Sequence, residues 1–391
     1  MTLASMSAPD RPNRPEQSRG LAEIADIVTP FAVRAAATLR LADHIAAGHT
    51  RLHDLAEAAG ADPRALSRLL RFLTCRDIFA EPEPGTFALT ELAAELLTDH
   101  PANLRQWLDA DEVAGRLDST FPHLVDAVRS GTSVYEKVHG APFWADLAAS
   151  PARTESFDRL MSQVSQSTKG IGTAYDWSDV RHVIDVGGGT GTLLREILTA
   201  HPHLRGTVAD QAASVAEARH QLAAQGLDER GDTVVCDMFD RLPTGADACL
   251  LSRVLADWDD ESAVRILRTC AAALPDGGRV LIAERVFQDE PVSAEDLSET
   301  RRLTSHDLRM LVLLGGRKRS ESDYARLAGR AGLSPSASGR LPGGATVMDF
   351  RVVGNPGQKE APPRRSSGQG ATPPPPDEAG RWTGGGAVRP F

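Results

Sequence analysis

Several things are scarce in this sequence, and each scarcity excludes something. Cysteine is rare: Cys75, Cys236, Cys249 and Cys270 are the only four in 391 residues, and no two form a C-x-x-C pair. That argues against a disulfide framework or a structural zinc site and predicts small buried thiols in a reducing cytosol. No metal ligand set is expected. Long apolar runs are missing too: none approaches the roughly 20 residues needed to span a bilayer, so no membrane partner is expected. Basic charge is in deficit, with a formal net charge of −10. Nonspecific nucleic-acid binding relies on many cationic phosphate contacts and is therefore disfavoured. Met1 to Gly20 is rich in Pro, Arg and Ser without an apolar h-region. It predicts a flexible lead-in rather than a secretory signal, and a cytoplasmic chain.

The dinucleotide fingerprint G-x-G-x-x-G is also absent. In its place stands His182-Val183-Ile184-Asp185-Val186-Gly187-Gly188-Gly189-Thr190-Gly191, with Leu193, Leu194, Ile197 and Leu198 at helical spacing behind it. An apolar run ending in a carboxylate, a glycine turn and an amphipathic stretch read as strand, tight loop and helix. The glycine spacing departs from the fingerprint by one residue. Asp185, two residues before Gly187, suits a ligand with a cationic amino-acid end better than a pyrophosphate. Asp-x-Gly-x-Gly-x-Gly is the signature of S-adenosylmethionine (SAM) methyltransferases.

The chain around this stretch divides by composition. Residues 1–18 are the lead-in. Residues 19–100 read as helix, helix, helix and ribbon, a winged-helix plan. Leu39 to Ile45 ends one helix, and Leu52 to Ala59 is a short one stopped by Gly60. Asp62-Pro63 caps and starts a third, carrying Leu66, Leu69, Leu70 and Leu73. Ile78–Ala80 and Phe87–Leu89 flank a turn over Glu81–Gly85. The third helix carries Arg64, Arg68, Arg71 and Arg76, as a DNA reader would, but Glu81 and Glu83 on the wing oppose phosphate contact. Residues 101–175 are mostly helical, with Phe143, Trp144, Leu147, Phe157, Leu160 and Met161 as an apolar stripe. The stripe reads either as core packing or as the lining of a pocket for a flat aromatic molecule. Residues 176–354 alternate strands and helices, which implies a parallel, doubly wound α/β sheet with ligands at the carboxyl ends of its strands. Residues 355–391, dense in Pro, Gly and Ser, are expected to be disordered.

Within the α/β region, Asp210 ends a second strand 19 residues after Gly191, where a ribose-binding carboxylate belongs. It can equally cap the next helix. Asp237 can accept from an adenine amino group, and Met238 offers a polarisable face to the ring. The fourth strand, Ala246–Ser252, leads into Leu255-Ala256-Asp257-Trp258. A fifth strand runs Arg279–Glu284. A helix ends at Met310–Leu314, followed by a Gly315-Gly316 break, a further helix from Glu321 and a last strand Ala345–Val353.

Taken together, these features resemble the small-molecule O-methyltransferases with a winged-helix dimerisation domain, most nearly the anthracycline (carminomycin-type) 4-O-methyltransferases. The resemblance is carried by Ala36–His44, Arg64–Leu69, Pro142–Leu147, Ala174–Ser178, Asp307–Val312 and Gly315–Arg317. It implies a Rossmann-like class I SAM methyltransferase domain behind a mainly helical dimerisation domain, a homodimer, and a phenolic polyketide-type substrate of antibiotic biosynthesis. It also implies cofactor contacts from Arg153, Asp185, Gly187, Gly189, Asp210, Asp237, Met238 and Ser252. Substrate contacts would come from Trp144, Met161, Arg253, Asp257, Arg309 and Met310.

The last scarcity is chemical. Many members of this family have His-Asp-Trp after the fourth strand, with the histidine as base; here Ala256 takes its place. A glutamate that positions that histidine matches Glu284, whereas a second one is Lys318. In-line methyl transfer from a sulfonium depends mainly on alignment. A general base typically adds about 10²–10⁴-fold, and an acidic phenol can dispense with it. Asp257 and His306 are the candidates for the proton. Asp257 reads equally as a loop or capping acid and His306 as a structural histidine. A SAM-binding relative with other chemistry, such as hydroxylation or decarboxylation, and a non-catalytic winged-helix regulator are the alternatives.

Overall fold

A computed structural model describes residues 20–289 and 297–353, with backbone only for 162–166. The expected lead-in and the expected disordered tail lie outside the described residues.

The N-terminal helices follow the apolar spacing. Val28–Thr38, Leu41–Ala46, Leu52–Ala58 and Pro63–Thr74 surround one core with Leu41, Leu55, Leu66, Leu70 and Leu73 buried. The first helix does not run through Leu39 to Ile45 as expected. Arg40 takes φ +50°, which breaks the helix and starts a new one at Leu41. Asp62 caps the fourth helix, accepting from Ala65 N at 2.8 Å, with Pro63 in its first turn. The ribbon pairs β1 (Phe79–Glu83) with β2 (Thr86–Leu89), so the turn is tighter than the sequence suggested and both wing glutamates lie on a strand. Leu21 and Ile24 on the short helix Leu21–Ile24, Ile27 before the helix Val28–Thr38 and Phe31 within it are exposed. Beside them Val28, Ala32, Leu69 and Phe72 line an open groove of about 320 Å³.

The second sheet has seven strands: β3 (His182–Val186), β4 (Arg205–Asp210), β5 (Gly231–Val235), β6 (Ala248–Ser252), β7 (Arg279–Glu284), β8 (Leu333–Arg340) and β9 (Thr346–Val352). Their order is β5-β4-β3-β6-β7-β9-β8. The first five are parallel, while β9 runs antiparallel to both β7 and β8. The fully parallel expectation is thus corrected at one edge. The cause is β8, which the sequence analysis did not anticipate. Leu-Ser-Pro-Ser-Ala-Ser-Gly-Arg has no apolar alternation, and only Leu333 is buried. It pairs because β9 offers a free edge, and its Pro335 falls beside the register shift that an edge strand tolerates. The hairpin from β8 back into β9 fixes the antiparallel direction.

Two apolar layers flank the sheet. One packs Ile184, Val186, Leu251, Ile282, Leu267 and Tyr324; the other packs Val183, Leu194, Val208, Leu250 and Trp177. Strands buried on both faces explain their continuous apolar runs. Cys249 and Cys270 are buried here, Cys236 is half-buried, and Cys75 is exposed. Phe143, Leu147 and Leu160 join Tyr135 and Leu313 in a separate core, with Trp144, Phe157 and Met161 packed against it. Among the described residues no helix is long and apolar enough to cross a membrane.

Candidate functional site

Asp185, Asp210, Ser252 and Glu284 lie at the carboxyl ends of β3, β4, β6 and β7, and Asp237 follows β5 by two residues. A parallel sheet places its ligand crevice at that edge. The loop after β3 needs glycine. Gly187 has φ +69°, and a Cβ there would meet Val254 Cγ2 at 2.8 Å. Gly189 has φ +58° with nothing within 4 Å of a would-be Cβ, so this part of the loop is an open cradle. Met238 Cε lies 3.5 Å from the Cβ position of Gly187.

Asp210 faces this cradle. Its Oδ2 accepts from Gly189 N at 2.8 Å and its Oδ1 from Gln211 N at 2.6 Å. The helix cap is Gln211 rather than Asp210. Each Asp210 oxygen retains accepting capacity, enough for a pair of hydroxyls. Asp185 is buried with neither carboxylate oxygen hydrogen-bonded. Burial first, and the charge of Asp210 second, push its carboxyl up to about 7. A buried, unpaired acid, Asp185, beside an open glycine cradle suits a cofactor that carries a sulfonium and an ammonium group. Asp237 Oδ1 accepts from Phe239 N at 2.8 Å.

A second group gathers where β6 and β7 end. Arg253 has φ +60°, a conformation that costs a non-glycine residue about 1–3 kcal/mol and collects at functional sites. Its N–H donates to Ala283 O at 3.1 Å, and its guanidinium reaches Met161 Sδ at 3.3 Å. Next comes the turn Leu255–Asp257, with Ala256 fully buried. Burial, reinforced by Glu284 and opposed by Lys318 and Arg253, raises Asp257 to about 7. Lys318 Nζ donates to Glu284 Oε2 at 3.2 Å, and Glu284 Oε1 is buried without a partner. His306 is lowered to about 3 by burial and by the charges of Lys318, Arg253, Arg309 and Arg302, so its ring is neutral near pH 7. Its Nδ1 is buried with no partner.

Sequence reasoning missed what holds this group together. Arg319, completely buried, donates to Leu255 O at 2.7 Å, Trp258 O at 2.8 Å and Asp260 Oδ1 at 2.8 Å. Gly316 lies so close to the same turn that a Cβ would fall 2.2 Å from Ala256 O. Asp259, not Asp257, caps the following helix. Arg317, Lys318 and Arg319 are three consecutive basic residues, and nothing in their order reveals which go inside.

Other expected contacts are engaged elsewhere. Arg153 donates to Asp146 Oδ1 at 2.6 Å and to its carbonyl at 2.7 Å. Asp146 also takes Arg116 and the Tyr135 hydroxyl, and these partners hold it down at about 2 despite its burial. Arg309 reaches Asp118 at 2.9 Å, the same carboxylate that binds Arg34 of the N-terminal helices. Trp144 packs edge-on to Phe143 and Phe157, with its indole N–H buried and unpartnered, and Met310 is buried. Among the described residues no group of His, Cys, Asp and Glu could hold a metal ion.

Comparison with known proteins gives the family. Residues 121–334 match the O-methyltransferase domain family, and residues 22–99 match the O-methyltransferase dimerisation domain. The chain is 45% identical over 320 residues to a 2,7-dihydroxy-5-methyl-1-naphthoate 7-O-methyltransferase of Streptomyces carzinostaticus, covering 82% of this chain and 93% of that one. It is 41% identical over 357 residues to the aclacinomycin 10-hydroxylase RdmB of Streptomyces purpurascens, covering 90% and 94%. A crystal structure of the O-methyltransferase NcsB1 from neocarzinostatin biosynthesis, with S-adenosyl-L-homocysteine and 1,4-dihydroxy-2-naphthoic acid, superposes with a TM-score of 0.80. That match has 42% identity and covers 86% of this chain and all of the other. The chain belongs to the family of SAM-dependent O-methyltransferases that carry an N-terminal dimerisation domain.

Proposed function

We propose that this protein methylates a phenolic hydroxyl of an aromatic polyketide-type molecule in antibiotic biosynthesis, as a cytoplasmic homodimer. The observation that carries the reading is the glycine cradle between Asp185 and Asp210, both at strand ends and both raised by burial. In this reading Asp210 accepts from the ribose hydroxyls, Asp237 from the adenine amino group, and Met238 covers the ring. Asp185, Gly187, Gly189 and Ser252 shape the rest of the cradle. Arg153 contributes from the helix Pro151–Val164 once it exchanges its Asp146 contact. Bound SAM supplies the electrophilic methyl group. The chain's own task is to align an oxygen with it, an effect worth up to about 7–11 kcal/mol in favourable systems.

Trp144, Met161, Arg253, Arg309 and Met310 are assigned to the acceptor side, where the aromatic stripe gives a flat molecule a wall. Exposed Leu21, Ile24, Ile27 and Phe31 supply the face on which two copies meet. A second reading has one specific support, the aclacinomycin hydroxylase relative. The test is incubation with SAM and a panel of hydroxynaphthoates and anthracyclinones, read by mass spectrometry. A gain of one methyl supports methyl transfer; a gain of one oxygen, or loss of carbon dioxide, replaces it with the second reading.

A further inference from the structure

Resting on the methyl-transfer reading, we infer that the site takes its acceptor as an aromatic oxyanion, with Lys318 as the positioning residue that sets this preference through its pair with Glu284. The charges that face one another are Arg253 from the end of β6, Asp257 from the following turn, Glu284 from β7 and Lys318 from the segment after Gly316. The helix Leu297–Leu314 adds His306, which is neutral. On that helix Arg309 is tied to Asp118, Arg302 is paired with Glu299, and Asp307 accepts the Lys318 N–H at 2.6 Å. Among the side chains at the turn itself, two cations, Arg253 and Lys318, therefore meet two carboxylates, Asp257 and Glu284; Asp307 is spent on the Lys318 N–H, and the Tyr324 hydroxyl near Glu284 and Asp257 stays protonated. Once Asp257 holds a proton the group carries one net positive charge, and an oxyanion beside it restores the balance.

The step balances. The acceptor O–H bond breaks and its proton goes to a carboxylate oxygen of Asp257. The phenolate lone pair then forms the O–CH₃ bond as the donor's S–CH₃ bond breaks, with that electron pair left on sulfur. Asp257 afterwards returns its proton to solvent. A neutral amine gains nothing from this arrangement, because its methylation builds positive charge beside Arg253 and Lys318. A glutamate at position 318 would add a third carboxylate and disfavour the oxyanion. The sequence difference at Lys318 thus becomes a specificity device rather than a loss.

The experiment compares 2-naphthol, 1-nitro-2-naphthol and 2-naphthylamine as acceptors for the full-length protein. For the wild type, 2-naphthol should be methylated and 2-naphthylamine should be at least about tenfold slower. For Lys318→Gln, turnover of 2-naphthol at pH 7 should fall about 10²-fold, the lower end of proton-transfer effects. The loss should shrink to within about fivefold at pH 10 or with the more acidic nitronaphthol, with KM for SAM unchanged. Lys318→Arg should retain wild-type turnover within about fivefold. Equal losses on every acceptor at every pH would make Lys318 merely structural and overturn the inference. So would a wild type that methylates the amine as fast as the naphthol, a measurement that does not depend on any variant folding. SAM binding without methyl transfer to any acceptor would instead overturn the methyltransferase reading itself, and the inference with it.

Discussion

Lys318 and Glu284 form an ion pair at 3.2 Å with their side chains 7% and 0% exposed. Such a pair is poor evidence of stability in itself, because desolvation offsets the attraction, but removing one partner strands a buried charge. Lys318→Met should therefore cost about 3–5 kcal/mol in denaturant unfolding. The double variant Glu284→Gln/Lys318→Met, which leaves no lone charge, should recover most of that loss. A double variant as unstable as the single one would show that packing, not charge, sets the cost.

Asp210 tests the cofactor assignment. Its carboxylate is held by two backbone N–H groups and has capacity left for two hydroxyls. Asp210→Ala should weaken SAM binding by about 1.5–3 kcal/mol, the worth of hydrogen bonds to a charged group. Calorimetry should show that loss with the fold intact by circular dichroism. Unchanged affinity would move the ribose elsewhere.

Asp185 gives a pH test of the same site. Its carboxyl is raised to about 7 when folded, from an ordinary value of 3.8. The folded protein thus keeps a proton that the unfolded chain releases, so stability is highest below the ordinary value and declines as pH rises through about 7. Asp185→Asn cannot ionise and lacks this slope. The difference in melting temperature, variant minus wild type, should grow more favourable to the variant from pH 5 to pH 8. A constant difference would mean that Asp185 is not destabilised by ionising.

The proposed dimer would rest on the apolar residues left uncovered by the helices of the N-terminal domain. Ile24 and Phe31 are 68% and 60% exposed. Ile24→Glu combined with Phe31→Glu should convert a dimer to a monomer in light scattering at micromolar concentration, with little change in the thermal stability of the single chain. A wild-type protein that is monomeric under those conditions would contradict the assignment.

How much of this was legible beforehand depended on the kind of signal. The glycine loop, Asp210 and the doubly wound strands were readable because each follows from local chemistry: positive φ, an acid at a strand end, buried apolar runs. The strand β8 was not, since Ser334, Ser336 and Ser338 pair only because β9 leaves an edge open. The grip on the Leu255–Asp257 turn was not legible either. Arg319 and Gly316 reach it from about 60 residues further along the chain, and only the tertiary fold decides that Lys318 and Arg319 turn inward while Arg317 stays out. Arg153 and Arg309 were expected at the ligand, and their partners Asp146 and Asp118 were not foreseen, because ion pairs between elements leave no mark on spacing.

The final prediction concerns the proton. Two groups at the site were candidates to receive it, and their surroundings separate them. His306 is lowered to about 3, by burial first and then by the charges of Lys318, Arg253, Arg309 and Arg302, so it holds no proton near neutral pH and has little basicity. Asp257 is raised to about 7, by burial first and then by Glu284, which brings a carboxylate into the range where a general base works best. Turnover of a weakly acidic phenol should therefore rise with pH through a limb near 7, as Asp257 loses its proton. His306→Gln should leave that limb in place. Asp257→Asn should abolish it and slow 2-naphthol about 10²-fold or more, while a phenol already ionised at the assay pH should lose less than about tenfold, roughly 1.4 kcal/mol of barrier. The pH profiles of kcat for the two variants on both acceptors check this directly. A limb that vanishes in His306→Gln and persists in Asp257→Asn would hand the proton to the histidine, and with it the role that Ala256 leaves open.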